Sequence, residues 1–161
     1  MPAGERLAPS GSAIASFPRR AAGFVIDFLL ISTIYFVVIR LVLGDAPPVV
    51  DMTRLDGSIL RFVAIQTVVR VTYNWYWNRR GWSPGKRAWG LRVEGADGAR
   101  PTLMRALVRA LAGEVSTVFY LGYVWASWDR QGQTWHDKAA ASWVVRDRPA
   151  EQADGGAPPN P

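Results

Sequence analysis

The chain has 161 residues, which suits one domain, and 49% of them are hydrophobic. It has no cysteine and a single histidine, His136, which excludes a disulfide scaffold, a cysteine nucleophile and a histidine-rich metal site. The net charge of +6 arises between residues 78 and 110, where eight basic residues accompany two acidic ones. An excess confined to one loop is typical of the cytoplasmic side of membrane proteins and argues against a nucleic-acid-binding surface.

The N-terminal part of the chain predicts a tail followed by a membrane-spanning helix. Residues 1–16 are rich in alanine, glycine, serine and proline, which predicts a disordered tail. Residues 21–43 are apolar and carry two charges, Asp27 and Arg40. A helix of this length reaches roughly 34 Å, which exceeds the hydrocarbon core of about 30 Å. The first transmembrane helix is therefore predicted here.

A second transmembrane helix is predicted over residues 59–77, where Arg61 and Arg70 interrupt an apolar stretch. This stretch ends in tyrosines and tryptophans that suit the headgroup region, and two arginines follow at once. The connection 44–58 before it is acidic. These flanks predict a cytoplasmic N-terminus, an external connection and a cytoplasmic exit.

The remaining chain predicts shorter segments. Residues 91–93 alternate in the manner of a strand, and Leu103 begins an amphipathic helix suited to the membrane interface. Residues 113–128 are apolar but short for a crossing, so they either cross the bilayer or enter it and return. A second short strand is indicated at 142–145, and residues 147–161 predict a disordered tail. The fold class is therefore an all-α membrane protein with two transmembrane helices, an interfacial helix and a third short segment.

Polar side chains at bilayer depth form a predicted seam. Gln66, Arg70 and Asn74 recur at i, i+4 along one helix face. Asp27 and Arg70 are placed roughly 9 and 12 Å from the cytoplasmic ends of their helices, so their side chains can meet. The seam comprises six residues: Asp27, Gln66, Arg70, Tyr73, Asn74 and Glu114.

Two interpretations of this seam remain open. Charged groups within a bilayer are expensive and commonly mark ion pathways or proton relays, which favours a site of conduction or proton coupling. The alternative is a structural ion pair that fixes the register of the helices. The residues of the seam do not by themselves decide between them.

Motifs for soluble catalysis fail on inspection. The run from Gly81 to Arg87 resembles a phosphate-binding loop, but it has three residues between its glycines where four are needed. His136 and Asp137 are adjacent in sequence and no nucleophile motif accompanies them. We therefore expect no enzymatic activity, no cofactor and no metal site.

Three segments in order resemble the RDD family of small bacterial membrane proteins, named for one arginine and two aspartates. The first, RRAAGFVID, places the arginine at Arg20 and an aspartate at Asp27; the last, QTWHDKAAASWVV, places the second aspartate at Asp137. The central segment is GWSPGKRAWGLRV with the later LVR, and its candidate residues in the cytoplasmic loop are Gly81, Pro84, Gly85, Lys86, Gly90 and Arg109.

The resemblance implies a membrane domain over residues 17–146 in the bacterial cytoplasmic (inner) membrane, with at least two crossings and no cofactor. It also implies a short cytoplasmic sheet that pairs residues 91–93 with 142–145. Its functional implication is a role in transport linked to cations or protons.

Two functions follow as hypotheses. The first is transport of a small ion through the seam, in a homo-oligomer or with another membrane protein, because two or three helices seldom enclose a pathway alone. The second is a non-transporting assembly module whose basic loop docks a partner or the anionic headgroups of the lipid bilayer.

Overall fold

The computed structural model describes residues 6–43, 57–119 and 121–147. The described chain is mostly helical, as predicted, and also contains a two-stranded sheet. Its elements are α1 (Phe17–Leu43), α2 (Gly57–Arg80), α3 (Pro84–Ala88), β1 (Leu91–Gly95), α4 (Leu103–Phe119), α5 (Leu121–Val124), a 3₁₀ turn (Trp125–Ser127), α6 (Trp135–Ala139) and β2 (Ser142–Arg146).

One helix of the described residues, Phe17–Val42 of α1, is long and apolar enough to cross a bilayer. Only 17% of its most apolar window is buried, whereas the core helix of a soluble protein is mostly covered. Its exposed side chains include Val25, Leu29 and Phe36. α2 has 24 residues but does not meet the same test of composition, because arginines and amides interrupt it.

The helices are arranged around α2. α1 and α4 both pack on α2, α3 packs on α1, and α6 packs on α4. Tyr35 of α1 meets Phe62 of α2 edge to face, with ring centroids 5.4 Å apart. The external connection predicted between α1 and α2 falls largely on residues 44–56, which lie outside the described residues.

The sheet lies at the end of the molecule where α1 begins and α2 ends. β1 and β2 are antiparallel, with Leu91 opposite Arg146 and Gly95 opposite Ser142. These strands coincide with the two segments for which the sequence indicated strands. Leu91, Val93 and Val144 are almost fully buried and form one apolar cluster with Ala15.

The prediction of a disordered N-terminal tail is wrong for residues 6–16. Ile14 forms an antiparallel bridge with Val145, and the amide of Ala15 donates to the carbonyl of Val144 at 3.0 Å. The segment is ordered because its backbone pairs with the free edge of β2 and its few apolar side chains enter the core. Residues 1–5 and 148–161, which include most of the predicted C-terminal tail, lie outside the described residues.

The sheet also determines to which end of the molecule the chain returns after the third hydrophobic stretch, residues 113–128. α4 starts shortly after β1, and α6 lies just before β2. Because β1 and β2 are hydrogen-bonded neighbours, the chain between them leaves the sheet end of the molecule and returns to it. Residues 113–128 therefore belong to a stretch of chain that begins and ends at the sheet.

Candidate functional site

A cavity of about 450 Å³ lies between α1, α2 and α4. Its back wall is α2, which contributes four polar side chains one turn apart, namely Gln66, Arg70, Asn74 and Asn78. α1 provides a mainly apolar wall that comprises Phe17, Ala21, Phe24, Phe28 and Ile31. The cavity is thus polar on one side and apolar on the other, and its volume is within the usual range for a small-molecule site.

Asp27 lies on the cavity wall, where three hydrogen-bond donors from α2 and the start of α3 hold its carboxylate and one lysine lies nearby. Its Oδ1 accepts hydrogen bonds from the hydroxyl of Tyr73 at 3.0 Å and from the backbone N–H of Gly85 at 2.9 Å. Its Oδ2 accepts from the hydroxyl of Ser83 at 2.5 Å and lies 3.7 Å from Nζ of Lys86. Both oxygens of this carboxylate therefore have hydrogen-bond partners, although only 6% of the residue is exposed.

The loop after α2 reaches Asp27 for two reasons. The first residues of α3 favour the start of a helix, and the α3 residue that touches α1 is a glycine. Ser83 is the N-cap, its hydroxyl accepting from the amide of Lys86, and Pro84 follows in the first turn. Gly85 then lies against Gly23 of α1, where an added Cβ would stand 2.0 Å from the Gly23 carbonyl oxygen. Only glycine permits this approach.

The predicted contact between Asp27 and Arg70 is not observed. Arg70 instead forms an ion pair with Glu114 of α4, at 3.2 Å. Tyr73 takes the place beside Asp27, and the loop supplies Lys86 as the cation nearest to this carboxylate. The depths of two helices do not show that the loop between α2 and β1 folds back onto α1.

The second aspartate of the signature, Asp137, lies at the sheet end of the cavity between two arginines. Arg20 of α1 contacts its Oδ2 and Arg109 of α4 contacts its Oδ1. Thr134 and Asp137 form a capping box at the start of α6, with the amide of Thr134 donating to Oδ2 at 3.1 Å. Asp137 is fully buried and ties three helices together.

The charges around Asp137 explain how it stays ionised. Burial raises the pKa of Asp137, but Arg109 and Arg20 oppose this and hold it well below the usual range of a carboxyl. His136 is buried beside the same arginines, and burial lowers its pKa to about 3. It is therefore neutral at physiological pH, and its Nδ1 lies 3.3 Å from the hydroxyl of Ser116.

The other predicted loop residues have structural positions around this site. Gly81 ends α2 in a left-handed conformation, φ +77°, and its carbonyl accepts from the amide of Val93 at 2.6 Å. The carbonyl of Gly90 accepts from Asp147 at 2.8 Å. Lys86 and Arg109 line the cavity, and Arg109 also donates to the hydroxyl of Ser142 at 3.1 Å.

Three polar residues of the site, Ser83, Ser142 and Asn78, were not predicted from the sequence. Ser83 and Ser142 lie within the signature segments, but a serine carries little signal outside a capping or catalytic pattern. Asn78 continues the row of Gln66, Arg70 and Asn74 by one further turn. Its spacing of four residues could have placed it in the seam, had the predicted helix not ended at Trp77.

No group of three histidine, cysteine, aspartate or glutamate side chains able to hold a metal ion occurs in the part of the chain that is described. The cavity presents hydrogen-bonding groups and fixed charges. Besides Asp27, its charged lining is cationic and comprises Arg20, Arg70, Lys86 and Arg109.

An exposed apolar helix long enough to cross a bilayer, a polar cavity inside a helical bundle and buried ion pairs at its end are the features expected of a small helical membrane protein. The model of the RDD family matches residues 14–141, and the chain belongs to this family, which is a membrane family. The resemblance drawn from the three signature segments is thereby confirmed. No curated protein and no solved structure matched the chain.

Proposed function

We propose that this protein crosses the cytoplasmic membrane with α1 and α2 and takes part in the transport of a small solute through the cavity. In this arrangement the N-terminus and the sheet are cytoplasmic, and α4 and α5 enter the membrane and return. The observation that carries the proposal is the row of Gln66, Arg70, Asn74 and Asn78, which presents four polar side chains from successive turns to one cavity within a helical bundle.

The charges of the lining favour a solute other than a metal cation. The predicted cation pathway depended on a carboxylate available to an ion, but both oxygens of Asp27 are occupied by donors of the protein. The other charged groups of the lining are positive and would repel a metal ion. We assign Asp27 the role of holding the loop on α1.

The topology and the cavity are tested together by single cysteines, which the natural chain lacks. A membrane-impermeant thiol reagent should label Asn74→Cys in the cavity from the cytoplasmic side. It should fail to label Leu29→Cys, whose side chain is 59% exposed on the apolar face of α1. Labelling of both positions would contradict the membrane placement, and labelling of neither would contradict a water-reachable cavity.

Transport itself is tested in proteoliposomes with imposed gradients of protons, monovalent cations and small anions. The wild type should show flux of protons or of a small anion rather than of a monovalent metal cation, and Gln66→Leu should reduce this flux while the protein remains inserted. Val68→Leu is the matched control, because Val68 is 63% exposed and does not line the cavity. Absence of flux from the wild type with every gradient would contradict transport.

One observation favours the second hypothesis, an assembly module that docks at the membrane surface. At the exposed end of α2, Arg80 lies 4.4 Å over the ring of Tyr76 and Arg87 lies 4.8 Å over the ring of Trp82. Such paired aromatic and basic side chains suit lipid headgroups or an acidic partner. If this is the function, a partner should co-purify with the wild type and be lost when both arginines are replaced by glutamine.

A further inference from the structure

We infer that the cavity binds an anionic glycerophospholipid of the cytoplasmic leaflet, with its phosphate among the cations of the lining and an acyl chain along the aromatic wall of α1. The inference depends on the proposed membrane placement. It names the class of molecule that the cavity accepts, whether that lipid is held or moved.

The first argument is the charge balance. Four cations line the cavity, namely Arg20, Arg70, Lys86 and Arg109. Three carboxylates oppose them, because Asp27 lies near Lys86, Glu114 pairs with Arg70, and Asp137 is shared by two arginines. Among the described residues, one positive charge of this cluster therefore has no carboxylate to compensate it, and a bound anion would do so.

The donors also suit a phosphate. Nζ of Lys86 donates to the hydroxyl of Ser83 at 3.2 Å and lies 3.7 Å from Asp27, so two of the three N–H groups of its ammonium remain for a ligand. Arg70, on the polar back wall, is flanked by Gln66 and Asn74 one turn away on either side. Guanidinium, ammonium and amide groups together form the donor set that binds phosphate oxygens.

The second argument is the shape of the cavity. α1 and α4 each pack on α2, and the cavity occupies the space between them. Its apolar wall is exposed, with 37% of Phe24, 52% of Phe28 and 38% of Val124 accessible. In a bilayer these side chains face lipid, so a chain can enter from the side while its headgroup reaches the polar wall.

The third argument is an unmatched polar group. The hydroxyl of Tyr35 lies on the cavity wall, is buried and has no hydrogen-bond partner among the described residues. A buried hydroxyl without a partner is costly, so the protein alone does not satisfy this wall of the cavity. A small inorganic anion held among the cations would leave the aromatic wall uncovered, so the lipid accounts for more of the lining.

The experiment is native mass spectrometry of the full chain released from membranes of equal parts phosphatidylglycerol and phosphatidylcholine. The wild type should retain phosphatidylglycerol in preference to phosphatidylcholine. Lys86→Gln should reduce the retained fraction about tenfold, the size expected when a charge-assisted hydrogen bond is lost. Arg105→Gln makes the same change of charge at an exposed position outside the cavity and should have no effect.

A second pair of variants serves if Lys86→Gln does not fold. Ile31→Trp fills the apolar part of the cavity and should exclude the lipid, whereas Leu29→Trp on the exposed face of α1 should not. Equal retention of the two lipids by the wild type would overturn the inference. Equal loss of phosphatidylglycerol in a cavity variant and in its control would overturn it as well. So would binding of oleate or inorganic phosphate that is as tight as that of phosphatidylglycerol.

The cysteine labelling separates this inference from the proposed function. Labelling of Asn74→Cys should be slower in membranes with phosphatidylglycerol than in phosphatidylcholine alone, after normalisation to the exposed position Ala88→Cys. Equal rates in the two membranes would overturn the lipid site and leave the water-reachable cavity intact. No labelling in either membrane would contradict the cavity on which both proposals depend.

Discussion

Gly85 of α3 lies so close to Gly23 of α1 that a Cβ on Gly85 would stand 2.0 Å from the Gly23 carbonyl oxygen and 2.8 Å from Cγ of Asp27. This contact places the loop after α2 within reach of the carboxylate. It explains why a glycine and an aspartate nearly sixty residues apart act as one structural unit.

We expect Gly85→Ala to destabilise the protein, because the new Cβ must displace either the backbone of α1 or the side chain of Asp27. Overpacking of this kind costs about 1–3 kcal/mol or more. Gly113→Ala is the control, since a Cβ there meets no atom within 4 Å and alanine favours a helix. The check is the melting temperature in detergent, and a Gly85→Ala protein as stable as the wild type would contradict the close contact.

Asp27→Asn should lower stability more than Tyr73→Phe does. The amide has one acceptor oxygen where the carboxylate has two, so it leaves buried donors of Ser83 or Gly85 unsatisfied, at about 1–3 kcal/mol each. Tyr73→Phe removes one of several donors and leaves both oxygens of the Asp27 side chain in place for the others. Urea unfolding of the two variants measures the difference. The reverse order would indicate that the carboxylate does not hold the loop.

Asp137→Asn should be the most destabilising single substitution at the site. It leaves the positive charges of Arg20 and Arg109 without their shared carboxylate, and the Arg109 side chain is only 3% exposed. Removing one partner of a buried ion pair costs about 3–5 kcal/mol. Asp147→Asn is the control, because the Asp147 side chain is 58% exposed and its pair with Arg92 contributes at most about 1 kcal/mol. Folded yield after size-exclusion chromatography distinguishes the two.

Stability should fall as the pH drops below 6.5 because of His136. Its pKa is about 3 in the folded protein, lowered first by burial, and 6.5 when unfolded, so between these values the unfolded chain binds one more proton. Linkage then makes stability rise with pH across this window, and about 2 kcal/mol is lost at pH 5. Asp137 does not contribute there, because its pKa in both states lies below pH 5.

The variant His136→Gln checks this pH dependence, because glutamine keeps a hydrogen-bonding side chain but does not titrate. The unfolding free energy of the variant should change less between pH 7.5 and pH 5 than that of the wild type. Parallel curves for the two proteins would show that His136 is not the group responsible.

The sequence predicted several features correctly because they are local. The apolar length of α1 and the family signature can be read directly from the order of residues. Because Gln66, Arg70 and Asn74 are spaced four residues apart, a helix places them on one face. The structure has all three on one cavity wall. The strand at residues 91–93 followed from its alternation of apolar and polar side chains.

The partners of the charged residues could not be predicted in the same way. Arg70 was matched with Asp27 from helical depth alone, yet Glu114 is its partner. The ordered N-terminal segment was also missed, since its composition is that of a disordered tail and its order comes from the edge of β2.

The sequence by itself determined that this is a helical membrane protein of the RDD family with a polar face inside an apolar bundle. The tertiary structure decided which groups satisfy the two signature aspartates. Asp27 is bonded to a serine 56 positions away, and Asp137 to an arginine 117 positions away. Such contacts depend on how helices and loops pack, because burial makes every unpaired charge costly and only the folded chain brings the partners together.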